Sequence, residues 1–127
     1  MVHAGAMYGV PVDLPLEPFV GHDLNQIAIG RFQLQLHFAG AGSISIQGHW
    51  ELRHPDGSLL DQAEDHAVRA AYRIHQVLDV PVDRYEIDPP RSFTLVFATG
   101  HRFVVFDDSA QYESFSLQID GAPSVFV

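Results

Sequence analysis

The stretch from residue 93 to residue 119 constrains the fold more than any other part of the chain. Two runs of β-branched, aromatic and aliphatic residues flank a turn at Thr99-Gly100, and a polar break at Asp107-Asp108-Ser109 precedes a third apolar run, residues 112–119. Such residues favour strands, whereas Gly and Asp favour the turns between them. The pattern predicts a three-stranded antiparallel meander, and it contains no catalytic signature.

A similar alternating pattern occurs in the first half of the chain. Apolar residues alternate with Gln and His over residues 32–38, and a period of two resumes over residues 44–52 after a turn at Ala39-Gly40-Ala41-Gly42. A period of two places alternate side chains on opposite faces of a strand. We therefore expect a hairpin with one buried face and one solvated face.

The two halves can be aligned with each other. At an offset of 59 residues, four apolar residues of the first half align with four of the second: Leu36, Phe38, Ile44 and Ile46 with Leu95, Phe97, Phe103 and Val105. At an offset of 58, a second set aligns in the same way: Val20, Leu24, Ile27 and Ile29 with Leu78, Val82, Tyr85 and Ile87. Trp50-Glu51 resembles Tyr112-Glu113 at an offset of 62. An internal duplication explains these matches, and so does a chance alignment of two alternating hairpins.

One helix is predicted between the two halves. Asp61-Gln62-Ala63-Glu64 has the form of a capping box, and apolar residues then recur at helical spacing until Val80-Pro81. The prediction is a helix over residues 61–79. The expected fold is an α+β domain over residues 19–127, in which two similar antiparallel units carry one helix packed on the sheet. Residues 1–18, with three prolines, are expected to form an extended N-terminal arm.

Composition excludes several classes of function. The chain of 127 residues has 16 acidic residues against 7 arginines and no lysine, which gives a formal net charge of −9. Such a charge disfavours binding to nucleic acids or to anionic membranes and favours a basic protein partner. There is no cysteine and no glycine-rich phosphate loop, so we predict no disulfide and no cofactor. The N-terminus lacks the pattern of a signal peptide, and the expected location is the cytoplasm.

A metal site is one hypothesis for the eight histidines. Strand parity puts His37 and His49 on the solvated face of the first hairpin, near Glu51. Two imidazoles and one carboxylate are a ligand set that zinc or a similar divalent ion accepts. The alternative is a polar sheet face without a ligand.

The second hairpin is predicted to be apolar on both faces. Val96, Val104 and Phe106 point away from the face that carries Phe103 and Val105. A strand that is apolar on both sides needs two covers, so we expect a homodimer, with the helix, the first hairpin or the N-terminal arm as other covers. Trp50 and the corner at Tyr112-Glu113 are further candidates for an interface or a structural role.

Part of the chain resembles a family of small uncharacterised bacterial proteins, classed as a domain of unknown function. The resemblance rests on the pattern Leu95-x-Phe97-x-x-Gly100, followed by Asp107-Asp108-Ser109 and Tyr112-Glu113-Ser114, together with residues 30–52. It implies no known activity and no catalytic residue. In its size and acidity the chain is also similar to immunity proteins of bacterial toxin systems.

Two functional hypotheses follow. The first is a non-enzymatic protein-interaction module, in the manner of an immunity protein that neutralises a basic partner. The second is a small-ligand-binding protein or hydrolase with a His and carboxylate site on the first hairpin. A pocket containing His37, His49 and Glu51 would favour the second hypothesis over the first.

Overall fold

The computed structural model describes residues 9–31, 33–63, 72–107 and 114–127. In these residues the chain forms ten strands, with single 3₁₀ turns at Glu17–Phe19 and Ile74–Val77. The strands are β1 Leu24–Ile29, β2 Leu34–Phe38, β3 Gly42–Ile46, β4 Trp50–Arg53, β5 Leu59–Gln62, β6 Val82–Asp88, β7 Ser92–Phe97, β8 Arg102–Phe106, β9 Phe115–Ile119 and β10 Val125–Phe126.

The strands form two antiparallel sheets. The first sheet has the order β1-β2-β3-β9-β10, and the second has the order β5-β4-β8-β7-β6. Their inner faces share one core, in which the rings of Phe93 on β7 and Phe115 on β9 meet at 4.9 Å. Val10, Leu14 and Leu16 of the N-terminal segment are also buried in this core.

The α+β prediction is wrong. No helix of seven or more residues occurs in the described parts of the chain. Of the predicted helix, residues 61–62 belong to β5 and residues 74–77 form a 3₁₀ turn, while residues 64–71 lie outside the described residues. Pairing of β5 with β4 satisfies the backbone of residues 61–62, and intrinsic helix propensity is too weak to compete with such tertiary pairing.

The pattern of period two over residues 44–52 does not form one strand. The chain breaks at residues 47–49, so that β3 lies in the first sheet and β4 in the second. At the break, the backbone N–H groups of Gln47 and Gly48 donate to the carbonyl of Ser114, at 2.9 and 3.0 Å. The predicted meander is also divided, because β9 pairs with β3 rather than with β8.

The two sheets have the same construction. Strands β1 to β5 correspond in order to β6 to β10, so each sheet takes three consecutive strands from one half and two from the other. Leu36 pairs with Ile44 in the first sheet, and Leu95 pairs with Phe103 in the second, which are the same pairs at an offset of 59.

Irregularities recur at matching positions in the two halves. The register of β1 shifts between Leu24 and Gln26, and the register of β6 shifts between Val82 and Arg84, 58 residues later. The predicted match of Trp50 with Tyr112 is not the one that the sheets show. Trp50 pairs with Val105, and Phe115 pairs with Ile46, so Trp50 corresponds to Phe115 at an offset of 65.

The two halves meet where β1 and β6 begin. The N–H of Leu24 donates to Val80 O at 3.2 Å, and the N–H of Val82 donates to His22 O at 3.1 Å, which are equivalent bonds. Gly21, with φ +85°, corresponds to Asp79, with φ 64°. Asp is enriched among the residues other than Gly that adopt this conformation, so the junction keeps its symmetry despite the change of residue.

Candidate interaction surface

The inner faces of the two sheets are alike, but their outer faces are not. The first outer face, by strand parity and register, carries hydroxyl, amide and imidazole side chains: Gln35, His37, Ser43, Ser45, Ser116 and Gln118. The equivalent positions form the second outer face and carry a different set: Thr94, Val96, Arg102, Val104, Glu51 and Arg53. Since both halves preserve the core, this difference marks the second outer face as the candidate functional surface.

The centre of the second outer face is apolar. Val96 on β7 is buried, whereas Val104 and Phe106 on β8 are partly exposed. The ring of His49 lies 4.8 Å from the ring of Phe106, and this contact extends the apolar centre towards β4. The prediction that this hairpin carries apolar side chains on both faces agrees with the positions of these residues.

Charged side chains surround the apolar centre. Arg102 Nη2 lies 2.5 Å from Glu86 Oε1, and Arg53 Nη2 lies 2.8 Å from Glu51 Oε1. The hydrogen bond from Arg102 lowers the pKa of the Glu86 carboxyl. Arg53 and Arg102 are direct cross-strand neighbours, a like-charge arrangement that would be unfavourable alone. Each arginine is therefore balanced by its own carboxylate.

Two histidines lie at one end of the second sheet, where β4 ends and β8 begins. The rings of His54 and His101 are 5.9 Å apart, and Thr99 Oγ1 is 2.8 Å from His101 Nδ1. Burial, with a smaller contribution from His54, lowers the pKa of His101. The neutral form of His101 is consequently favoured in the folded protein.

The structure brings together two of the three residues of the predicted metal site. His49 Nε2 lies 3.4 Å from Glu51 Oε2, but His37 is on β2 in the other sheet. Glu51 also accepts a hydrogen bond from Arg53 Nε at 3.0 Å, so this carboxylate belongs to an ion pair. Within the described residues, no group of three or more His, Asp or Glu side chains could hold a metal ion.

The other predicted site residues have different environments. Trp50 is buried, with its ring stacked on Phe103 at a centroid distance of 5.5 Å and edge-on to Tyr72 at 5.1 Å, so it anchors the core. Tyr112 and Glu113 lie outside the described residues.

Sequence reasoning missed the charged residues of the second outer face, Arg53, Arg84, Glu86 and Arg102. Strand parity contained the signal for Arg102, because it shares a face with Val104 and Phe106.

Comparisons with known proteins identify no relative. No family model, no curated protein and no solved structure matches the chain. In the described residues there is no helix with the length and apolar character that a membrane span requires.

Proposed function

We propose that the protein is a non-enzymatic interaction module that binds a protein partner through the second outer face. The observation that carries this proposal is the contrast between equivalent surfaces of one duplicated architecture. Where the first outer face has Ser45, the second has the partly exposed Val104, and charged pairs surround it. Apolar contact area inside a polar rim is the usual anatomy of a protein interface.

The charge of the chain indicates the class of partner. A net charge of −9 attracts basic proteins over distance and accelerates encounter with them. The second outer face then supplies contacts of both signs, since Arg102 and Arg53 lie beside Glu86 and Glu51. Neutralisation of a basic toxin, as by an immunity protein, is the specific form of this function that we propose.

Site-specific cross-linking in cells that express the chain tests the proposal. A photo-reactive phenylalanine analogue replaces Val104 in one variant and Ser45, its equivalent on the first sheet, in the control. We expect a discrete cross-linked protein of basic isoelectric point at position 104 and none at position 45. Equal cross-linking at both positions, or none at position 104, would contradict the proposal.

A second measurement uses the captured protein in purified form. Val104→Ser copies the residue at the equivalent position of the first sheet, and we expect it to weaken binding by about tenfold, as loss of a central apolar contact does. Ser45→Val is the matched control and should leave the dissociation constant unchanged. Unchanged binding by Val104→Ser would assign the interaction to another surface.

A further inference from the structure

The four edge strands of the two sheets differ in how they are protected. β1 and β10 end the first sheet, and β5 and β6 end the second. β6, with sequence VDRYEID, has four charged residues in seven, β5 contains Asp61, and β10 has only two residues. β1, with sequence LNQIAI, has six residues and no charge.

β1 and β6 occupy equivalent positions in the two halves, so their sequences can be compared residue by residue. Three charged residues of β6, Asp83, Arg84 and Glu86, correspond at an offset of 58 to Asn25, Gln26 and Ala28 on β1. Charged side chains on an edge strand hinder pairing with another chain. The β6 edge therefore has this protection, and the β1 edge does not.

We propose that β1 pairs in antiparallel fashion with β1 of a second copy of this chain. A twofold axis then joins two first sheets into one continuous sheet of ten strands. A protein with a net charge of −9 repels its own copies, and an uncharged edge is where two copies approach at the lowest electrostatic cost. This dimer leaves the second outer face open, so it is independent of the partner proposed above.

Within the described parts of the chain, no backbone group bonds to the groups of β1 that such pairing needs. The N–H of Gly30 donates to Gln33 O at 2.8 Å, so Gly30 forms a hydrogen-bonded pair across the β1–β2 hairpin. Hydrogen-bonded pairs alternate along an antiparallel ladder. Ala28 therefore bonds towards β2, whereas the N–H and C=O groups of Ile27 and Ile29 point away from β2.

The start of β1 limits the register. Leu24 is already bonded on its outer side, because its N–H donates to Val80 O and its carbonyl accepts from Asp79 N. A twofold axis at Ala28 keeps the second strand clear of this contact. It pairs Ile27 of each copy with Ile29 of the other, through four backbone hydrogen bonds.

The side chains suit the same register. Ile27 and Ile29 are opposite Leu36 and Leu34 on β2, and Ile29 is 47% exposed in the single chain. Pairing across the axis covers Ile29 with Ile27 of the second copy and extends the inner apolar row. On the opposite face, Ala28 meets Ala28 of the second copy with no charge between them.

Sedimentation velocity over micromolar concentrations tests the proposal with variants at Ala28. We expect a dimer for the natural chain, and an increase of at least about tenfold in the dimer dissociation constant for Ala28→Glu and for Ala28→Lys, since each places like charges at the axis. Glu86 occupies the equivalent position of β6, so the fold accepts this residue. A mixture of the two variants should form heterodimers, because the opposite charges then face each other.

Ser45→Glu is the control, because it adds the same charge to the outer face of the first sheet two strands away from β1. It should leave the dissociation constant unchanged. A monomeric natural chain at about 100 µM would overturn the proposal, and so would a dimer that withstands Ala28→Glu. A dimer that dissociates with Val104→Glu and not with Ala28→Glu would place the contact on the second outer face instead.

Discussion

At the scale of single residues, His101 shows how a small difference between the halves changes the chemistry. Its equivalent in the first half is Gly42, where β3 and β9 approach so closely that a Cβ would lie 2.0 Å from Gln118 O. At the equivalent position between β8 and β4, the side chains of His101 and His54 lie beside each other. One half excludes any side chain at this position, and the other places two titratable rings there.

We predict that His101 makes stability depend on pH. Its pKa in the folded protein is below the usual 6.5, so the folded state binds fewer protons than the unfolded state at mildly acidic pH. Titration of His101 therefore leaves the free energy of unfolding undiminished above about pH 6.5 and lowers it as the pH falls below that value. Urea denaturation of the natural chain and of His101→Gln at pH 7.5 and 5.5 should show the smaller loss of stability on acidification in the variant.

His54→Gln is the companion variant for this experiment. It removes the lesser cause of the shift, so its pH dependence should lie between those of the natural chain and of His101→Gln. If all three proteins lose the same stability between the two pH values, His101 does not titrate as described.

At the scale of elements, Asp61 joins β5 to the second 3₁₀ turn. Its side chain is buried and accepts a hydrogen bond from the backbone N–H of Arg73, the residue that precedes this turn. The first sheet has no such bond at the equivalent place, between β10 and the residue that corresponds to Arg73. There Pro15 corresponds to Arg73 and has no N–H to satisfy, and Val125 corresponds to Asp61.

We predict that Asp61→Val destabilises the protein by about 0.5–1.5 kcal/mol, the usual net contribution of one hydrogen bond, because this bond is only partly buried and water can reach the N–H of Arg73. Asp61→Asn keeps an oxygen acceptor in the same position and should cost less. Urea denaturation at neutral pH gives both values. Equal stability of the two variants would show that the hydrogen bond to Arg73 contributes nothing measurable.

At the scale of the whole molecule, exchange of strands between the halves determines how the chain can fold. β4 and β5 leave the first half to complete the second sheet, and β9 and β10 leave the second half to complete the first. Neither half contains all the neighbours of its own central strands. An isolated half would expose an apolar face and unpaired strand edges, both of which are unfavourable in water.

We therefore predict that fragments 1–67 and 68–127 do not fold as separate monomers and that they fold when mixed. Far-ultraviolet circular dichroism and light scattering should show disordered fragments and a one-to-one complex rich in β-structure. A fragment that folds only as a dimer with a second copy of itself would agree with the prediction, because each copy would then supply the strands that the other lacks. A fragment that is a stable, folded monomer would contradict it.

The sequence by itself determined the positions of the two hairpins, β2–β3 and β7–β8, and their inner face. Alternation at Leu36, Ile44, Leu95 and Phe103 identified the buried side chains, and the offsets of 58 and 59 identified the residues that are equivalent in the two halves. It also placed Val96, Val104 and Phe106 on a common outer face. These features depend on a period of two, which is a local property of the chain.

Tertiary structure alone decided which strands are neighbours, and with that the candidate surface. The alternation over residues 44–52 is the same whether β3 and β4 form one strand or lie in two sheets, so parity placed His37 beside His49 when the fold separates them. The sequence of residues 61–64 met the pattern of a helix start, but pairing with β4 made residues 61–62 part of a strand. Strands that pair but are distant in sequence produce no local periodicity that identifies the partner. Their contacts stabilise the fold only after the chain has brought the two strands together.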